Sequence, residues 1–80
     1  MYTKEEVKKA VCDGLREVLK TDDVTIGEDE TFENYGVDSL DQMGLLLEIE
    51  KRLKVELGEV DLSIVNTISL LHISINEKYQ

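Results

Sequence analysis

The chain has 80 residues, with 18 acidic side chains against 9 basic ones, a formal charge of −9, no proline and one cysteine. That charge argues against nucleic acid, whose phosphates attract basic surfaces, and the lone Cys12 excludes an internal disulfide framework or a multi-cysteine metal site. So short a chain makes one domain, residues 1–80, with no room for a deep cleft between two domains and no apolar run long enough for a transmembrane segment.

The N-terminus, MYTKEEVKKA, alternates charged and apolar residues and so reads as no signal peptide. Within it Thr3-Lys4-Glu5-Glu6 is a capping box. Val7, Val11, Gly14, Leu15 and Val18 follow at helical spacing, with Ala10 beside them, so a first helix is expected from about 4 to about 20. Cys12 lies at the margin of that stripe. It reads as a partly buried thiol, since the only histidine, His72, is far along the chain.

Residues 21–38 are expected to form a long loop. Its acids, Gly27, Asn34 and Gly36 all oppose regular structure. Residues 21–38 hold seven acidic side chains and no basic one, whereas residues 4–20 sum to +1. Most of these charges are expected to be solvated. Phe32 is the best candidate to anchor the loop in the core.

A second helix is expected from near Ser39 to about Leu53. Placing its residues at 100° per position gives two apolar stripes. Leu45, Leu46, Ile49 and Leu53 form the wider one, expected to face the core. Leu40, Met43 and Leu47 form the other, beside Ser39, and are expected to be partly offered to a partner. Gly44, mid-helix, costs about 1 kcal/mol relative to alanine and points to the close approach of another element or a ligand, with a tolerated weak spot as the alternative.

After Leu57-Gly58, the segment Glu59–Ile64 is expected to hold a short third helix of one or two turns. Asn66 or Thr67 then caps a last helix with the stripe Ile68, Leu71, Ile75 and Tyr79. Its helical spacing outweighs the strand propensity of residues 68–75. His72 reads as a packed or surface residue. The expected architecture is therefore all-α: a small four-helix bundle with a short third helix and a long loop between the first two.

The motif is Gly36-Val37-Asp38-Ser39-Leu40-Asp41-Gln42-Met43. Asp38 is a good N-cap, with Asp41 three residues later, which makes Ser39 the first residue of the second helix. Alone, that serine is unremarkable. Combined with the acidic, aromatic-bearing loop before it and the apolar helix, turn and capped helix after it, the pattern resembles the acyl carrier protein family, the phosphopantetheine-binding carrier domains. The resemblance covers nearly the whole chain.

The resemblance implies 4'-phosphopantetheine held covalently on Ser39, placed there from coenzyme A by a phosphopantetheinyl transferase. Acyl groups would ride as thioesters on the arm's thiol, and the carrier itself would not be a catalyst. Asp38 and Leu40 would belong to the attachment site. Acyl-loading and acyl-processing enzymes with basic patches would dock at Asp41, Met43, Leu47 and Glu48. A helix N-terminus suits a phosphate, and no histidine or lysine stands ready to complete a nucleophilic pair with Asp38. A soluble, cytoplasmic monomer is expected.

Gly44 stands where the best-known fatty-acid carriers have a glutamate, and Lys51 and Arg52 stand where those carriers typically have acids. A specialised fatty-acid, lipid or polyketide pathway therefore fits better than general fatty-acid synthesis. An aminoacyl carrier of the peptidyl or D-alanyl type is the alternative, because Leu45-Leu46-Leu47-Glu48 is similar to such carriers. Two readings from other classes compete. Residues 22–33 have the frame of an EF-hand loop, but Val24 and Ile26 stand where oxygen ligands are required. An unmodified helical interaction module would keep the Leu40/Met43/Leu47 stripe and have no use for Ser39.

Overall fold

The computed structural model describes residues 2–79. Among these residues all regular structure is helical: α1 is Lys4–Leu19, α2 is Ser39–Leu53 and α3 is Ile68–Lys78, with a 3-10 turn at Phe32–Tyr35. The helix α1 packs against both α2 and α3, which do not approach one another directly.

Each helix starts where a short polar side chain can satisfy a free N–H. Thr3 and Glu6 form the expected capping box, with the Glu6 N–H donating to Thr3 Oγ1 at 3.1 Å and the Thr3 N–H to Glu6 Oε1 at 2.9 Å. Thr67 caps α3 by accepting from the Leu70 N–H at 3.1 Å. At their other ends α1 and α2 stop on lysines, Lys20 (φ 54°) and Lys54 (φ 58°), in the left-handed conformation. Glycine usually takes that position, but a cation there meets the negative end of the helix dipole.

The core draws on every segment. Val7, Val11 and Leu15 of α1 meet Leu45 and Ile49 of α2 and Ile68, Leu71 and Ile75 of α3, all fully buried. The loop before α2 contributes Ile26 and Phe32, also fully buried, so Phe32 is the anchor expected of it. The Phe32 N–H donates to Asn66 O at 3.0 Å, and the Ser69 N–H to Glu28 O at 3.0 Å, which ties this loop to the start of α3. Cys12 is buried in the same cluster. His72 is half-buried, its Nε2 lying 2.9 Å from Tyr2 O and 2.9 Å from Asn76 Nδ2.

Two expectations need correction. Among the described residues the short third helix does not form, and three α-helices are present where four were expected. Residues 61–65 make one turn around Asp61, whose backbone oxygen accepts from the N–H groups of Ile64 (3.0 Å) and Val65 (2.9 Å). Its carboxylate accepts from the Ser63 N–H at 2.9 Å and from Ser63 Oγ at 2.6 Å. A first turn costs several fixed dihedrals for one bond, and it is recovered only by propagation. Here Thr67 is held extended (φ −134°, ψ 162°) to cap α3, which leaves no residues for that propagation.

The second correction concerns glycine. A Cβ on Gly44 would meet Val18 at 3.4 Å, an ordinary contact. The close approach of α1 and α2 is at Gly14, where a Cβ would lie 3.0 Å from Leu45 Cδ1 and 3.2 Å from the Glu48 Cβ.

Candidate functional site: the N-terminus of the second helix

The chain enters α2 through a fixed sequence of turns. The 3-10 turn closes on Gly36, which sits at φ 79° and donates its N–H to Glu33 O at 3.0 Å. A side chain is disfavoured in that conformation, so glycine suits the position. Val37 then drops into the core, 4% exposed, and Asp38 turns the backbone into the helix from an extended conformation.

Asp38 carries out the capping. Its Oδ1 accepts from the Asp41 N–H at 2.8 Å, and its backbone oxygen accepts from the Gln42 N–H at 2.9 Å. Asp41 Oδ2 lies 3.5 Å from the Asp38 N–H and completes a weak reciprocal box. With Asp38 so engaged, the Ser39 hydroxyl makes no hydrogen bond among the described residues, and neither do the N–H groups of Ser39 and Leu40. Ser39 is exposed at the positive end of a 15-residue helix dipole. A phosphate oxygen placed there would find two free donors and a favourable field.

The apolar stripe next to it is open to solvent. Leu40, Met43 and Leu47 are 77%, 67% and 63% exposed. The other stripe faces inward, with Leu45 and Ile49 buried and Leu46 and Leu53 half-buried, so the expected division of α2 holds. Asp41 is half-buried on the first turn. Glu48 is differently placed. Its side chain is 19% exposed, its carboxylate lies 3.0 Å from the Arg52 guanidinium, and its Cβ packs over Gly14 in the α1–α2 seam. The structure thus gathers Asp38, Ser39, Leu40, Asp41, Met43 and Leu47 on one end and flank of α2, and sets Glu48 apart.

Beside Ser39 lies an open groove of about 260 Å³ between α2 and the α2–α3 loop, lined by Gln42, Met43, Leu46, Val60 and Leu62, with Glu59 and Asp61 alongside. Sequence reading did not anticipate it. Its far wall is loop, and no periodicity announces where a loop will pass. A larger open concavity of about 580 Å³ follows α1 past Lys4, Lys8, Cys12 and Arg16, and shares no lining residue with the Ser39 groove.

The calcium-loop frame is used otherwise. Val24 and Ile26 are core residues, 6% and 0% exposed. The Glu30 carboxylate accepts from the Gly27 N–H at 2.8 Å and from the Tyr35 hydroxyl at 3.0 Å. Burial, then the Glu30 carboxylate, pushes the Tyr35 hydroxyl above its ordinary pKa of 10.0.

A helical domain that presents an unengaged serine at a helix N-terminus, between an apolar flank and a groove, has the form of a covalent carrier. The model of the phosphopantetheine attachment site family matches residues 9–71. The chain belongs to that family, the phosphopantetheine-binding carrier domains of the acyl carrier protein family. Such domains hold 4'-phosphopantetheine covalently and meet a phosphopantetheinyl transferase and partner enzymes. No curated protein and no solved structure matches the chain. No helix among the described residues is long and apolar enough to cross a membrane.

Proposed function

We propose that the chain carries acyl intermediates as thioesters on 4'-phosphopantetheine attached to Ser39, in a specialised fatty-acid, lipid or polyketide pathway, and catalyses nothing itself. The observation that carries this reading is the division of labour at the start of α2: Asp38 takes the capping bonds, which leaves the exposed Ser39 hydroxyl free. In the transfer, Ser39 Oγ forms a bond to the β-phosphorus of coenzyme A. The bond to the adenosine bisphosphate part breaks, and the hydroxyl proton passes to a base of the transferase.

The new phosphodiester sits where the free Ser39 and Leu40 N–H groups and the helix dipole offset its charge. The arm's apolar stretch can lie against Leu46, Val60 and Leu62. Leu40, Met43 and Leu47 supply the apolar centre of the docking surface, with Asp38 and Asp41 beside it for basic partners. Glu48, paired with Arg52, is the least available of the docking acids. The Asp38-Ser39-Leu40 core favours an acyl over an aminoacyl cargo. A monomer in the cytoplasm completes the proposal.

Incubation with coenzyme A and a broad-specificity phosphopantetheinyl transferase, followed by intact-mass measurement, tests it. The wild type should gain one phosphopantetheine and Ser39→Ala none. No gain on the wild type, or an equal gain on the variant, would remove the reading. Met43→Asp and Leu47→Asp should slow the transfer by roughly tenfold, about 1.4 kcal/mol, while the far-ultraviolet circular dichroism stays helical.

A further inference from the structure

We propose that the docking flank of α2 has two oppositely charged ends, and that Lys51 and Lys54 select the partner: an enzyme with basic groups beside its entrance for the arm and carboxylates about 18–22 Å further along. The inference rests on the Ser39 carrier reading and deepens it by naming what the partner surface must carry.

The flank is one line of exposed residues. From Leu40 onward, the exposed positions of α2 and its C-cap are Leu40, Met43, Leu47, Lys51, Arg52 and Lys54. All but Arg52 follow one another at intervals of three or four, which at about 100° per residue sets them within about 80° of each other. A rise of about 1.5 Å per residue carries Lys51 about 18 Å and Lys54 about 22 Å along the axis from Ser39. Asp38 and Asp41 stand at the near end, so the flank passes from acid through an apolar middle to base.

The two lysines are available. Neither makes an ion pair among the described residues. The acids nearest in sequence are engaged elsewhere or left unpaired: Glu50 accepts from the Leu57 N–H at 2.6 Å, Glu48 holds Arg52 at 3.0 Å, and the exposed Glu56 pairs with neither lysine. Arg52 is turned to the α1–α2 seam, where it lines a concavity with Lys9 and Asp13. The helix dipole accounts for a cation at a C-terminus, as Lys20 shows on α1. It does not account for the alignment of Lys51 and Lys54 with Leu40, Met43 and Leu47.

Interface size brings both ends into play. An ordinary interface covers about 800 Å² on each partner, a patch roughly 30 Å across. An enzyme seated over Ser39 and the apolar middle therefore reaches the lysines. Cations set against them repel, and carboxylates there attract, so the far end discriminates between partners.

The test uses one acyl transferase whose docking patch is basic throughout, and a second form of it with the patch cations farthest from the arm entrance changed to glutamate. Each moves an acyl group from its coenzyme A thioester to the thiol of the phosphopantetheine-loaded protein, releasing coenzyme A, and kcat/KM is measured. The wild type should load about tenfold faster from the glutamate form. Lys51→Glu/Lys54→Glu should reverse that preference, and Lys51→Gln/Lys54→Gln should abolish it, with circular dichroism unchanged. Lys4→Glu/Lys8→Glu makes the same change in net charge on α1 and should leave the preference as in the wild type. Equal rates from the two forms, no loading from either, a preference that survives in both Lys51/Lys54 variants, or one lost equally in the α1 variant overturns the inference and leaves the carrier reading intact. Failure of phosphopantetheine transfer to Ser39 removes both.

Discussion

Gly14 and Gly44 show how far a single residue's role can be read without its neighbours. Both lie inside helices, and propensity assigns each the same cost of about 1 kcal/mol against alanine. Their surroundings differ. At Gly44 a methyl group would rest in ordinary contact with Val18, so Gly44→Ala should stabilise the protein by up to about 1 kcal/mol. At Gly14 the same methyl would press on Leu45 Cδ1 and on the Glu48 Cβ, which a helix backbone holds in place. Gly14→Ala should therefore destabilise by about 1–3 kcal/mol, as overpacking does. Urea midpoints of the two variants should move in opposite directions, and movement in the same direction would contradict this packing. Sequence reading drew attention to Gly44 because it interrupts the most apolar helix, yet the helix crossing that decides the matter is set by both partners. The Asp38–Ser39 arrangement was legible because a cap is local, needing only neighbours within three positions. The Glu48–Arg52 pair was legible in principle too, from its i,i+4 spacing, whereas the place of Glu48 over Gly14 in the α1–α2 seam depends on the helix crossing.

At the scale of elements, what carried a cap and a stripe was readable. The Thr3 box starts α1, Asp38 starts α2 and Thr67 starts α3, each followed by apolar residues at helical spacing that the core then buries. The segment after Gly58 had neither a stripe nor room to propagate. Its turns place Leu62 in the core and Val60 along the groove, which no local pattern announces. The caps also differ in what depends on them. Asp38 holds the first turn of α2, and with it the orientation of Ser39, through the 2.8 Å bond to the Asp41 N–H. Asp38→Ala should cost about 1 kcal/mol of stability, within the usual range of about 0.5–2 for such caps. Asp38→Asn keeps a side-chain oxygen in the same place and should lose only a few tenths. Denaturant midpoints of the two variants check this. If Asn and Ala proved equally damaging, the role of Asp38 would lie in its charge and not in the capping bond.

Over the whole molecule, charge is divided by region. Residues 21–50 hold ten acidic side chains and no basic one, while eight of the nine basic side chains fall on residues 4–20 and 51–54. The acidic region includes Ser39 and its apolar flank, so the field around the site is negative and attracts basic partners over distances beyond contact. It also makes acidification act on the fold in opposed ways. Protonation relieves repulsion within the acidic region. It also removes carboxylates that the fold holds in their charged form: Glu6 through the Thr3 backbone and hydroxyl, Asp13 through Lys9 and then Arg16 and Arg52, and Asp61 through Ser63. Each of these has its pKa lowered from an ordinary value of 4.5 for Glu6 or 3.8 for Asp13 and Asp61. A carboxylate with a depressed folded-state pKa contributes stability that is complete above its ordinary value and lost as pH falls through the folded one. The Glu6 contribution should therefore fade below pH 4.5, where the repulsion in residues 21–50 is also weakening. A paired comparison isolates it. In Glu6→Gln the side-chain oxygen can still accept from the Thr3 N–H but no longer titrates, so the urea midpoint of the variant should drop less than that of the wild type between pH 5 and pH 3. Parallel curves over that range would mean that the capping carboxylate adds nothing to the acid sensitivity of the fold, which would then belong to other groups.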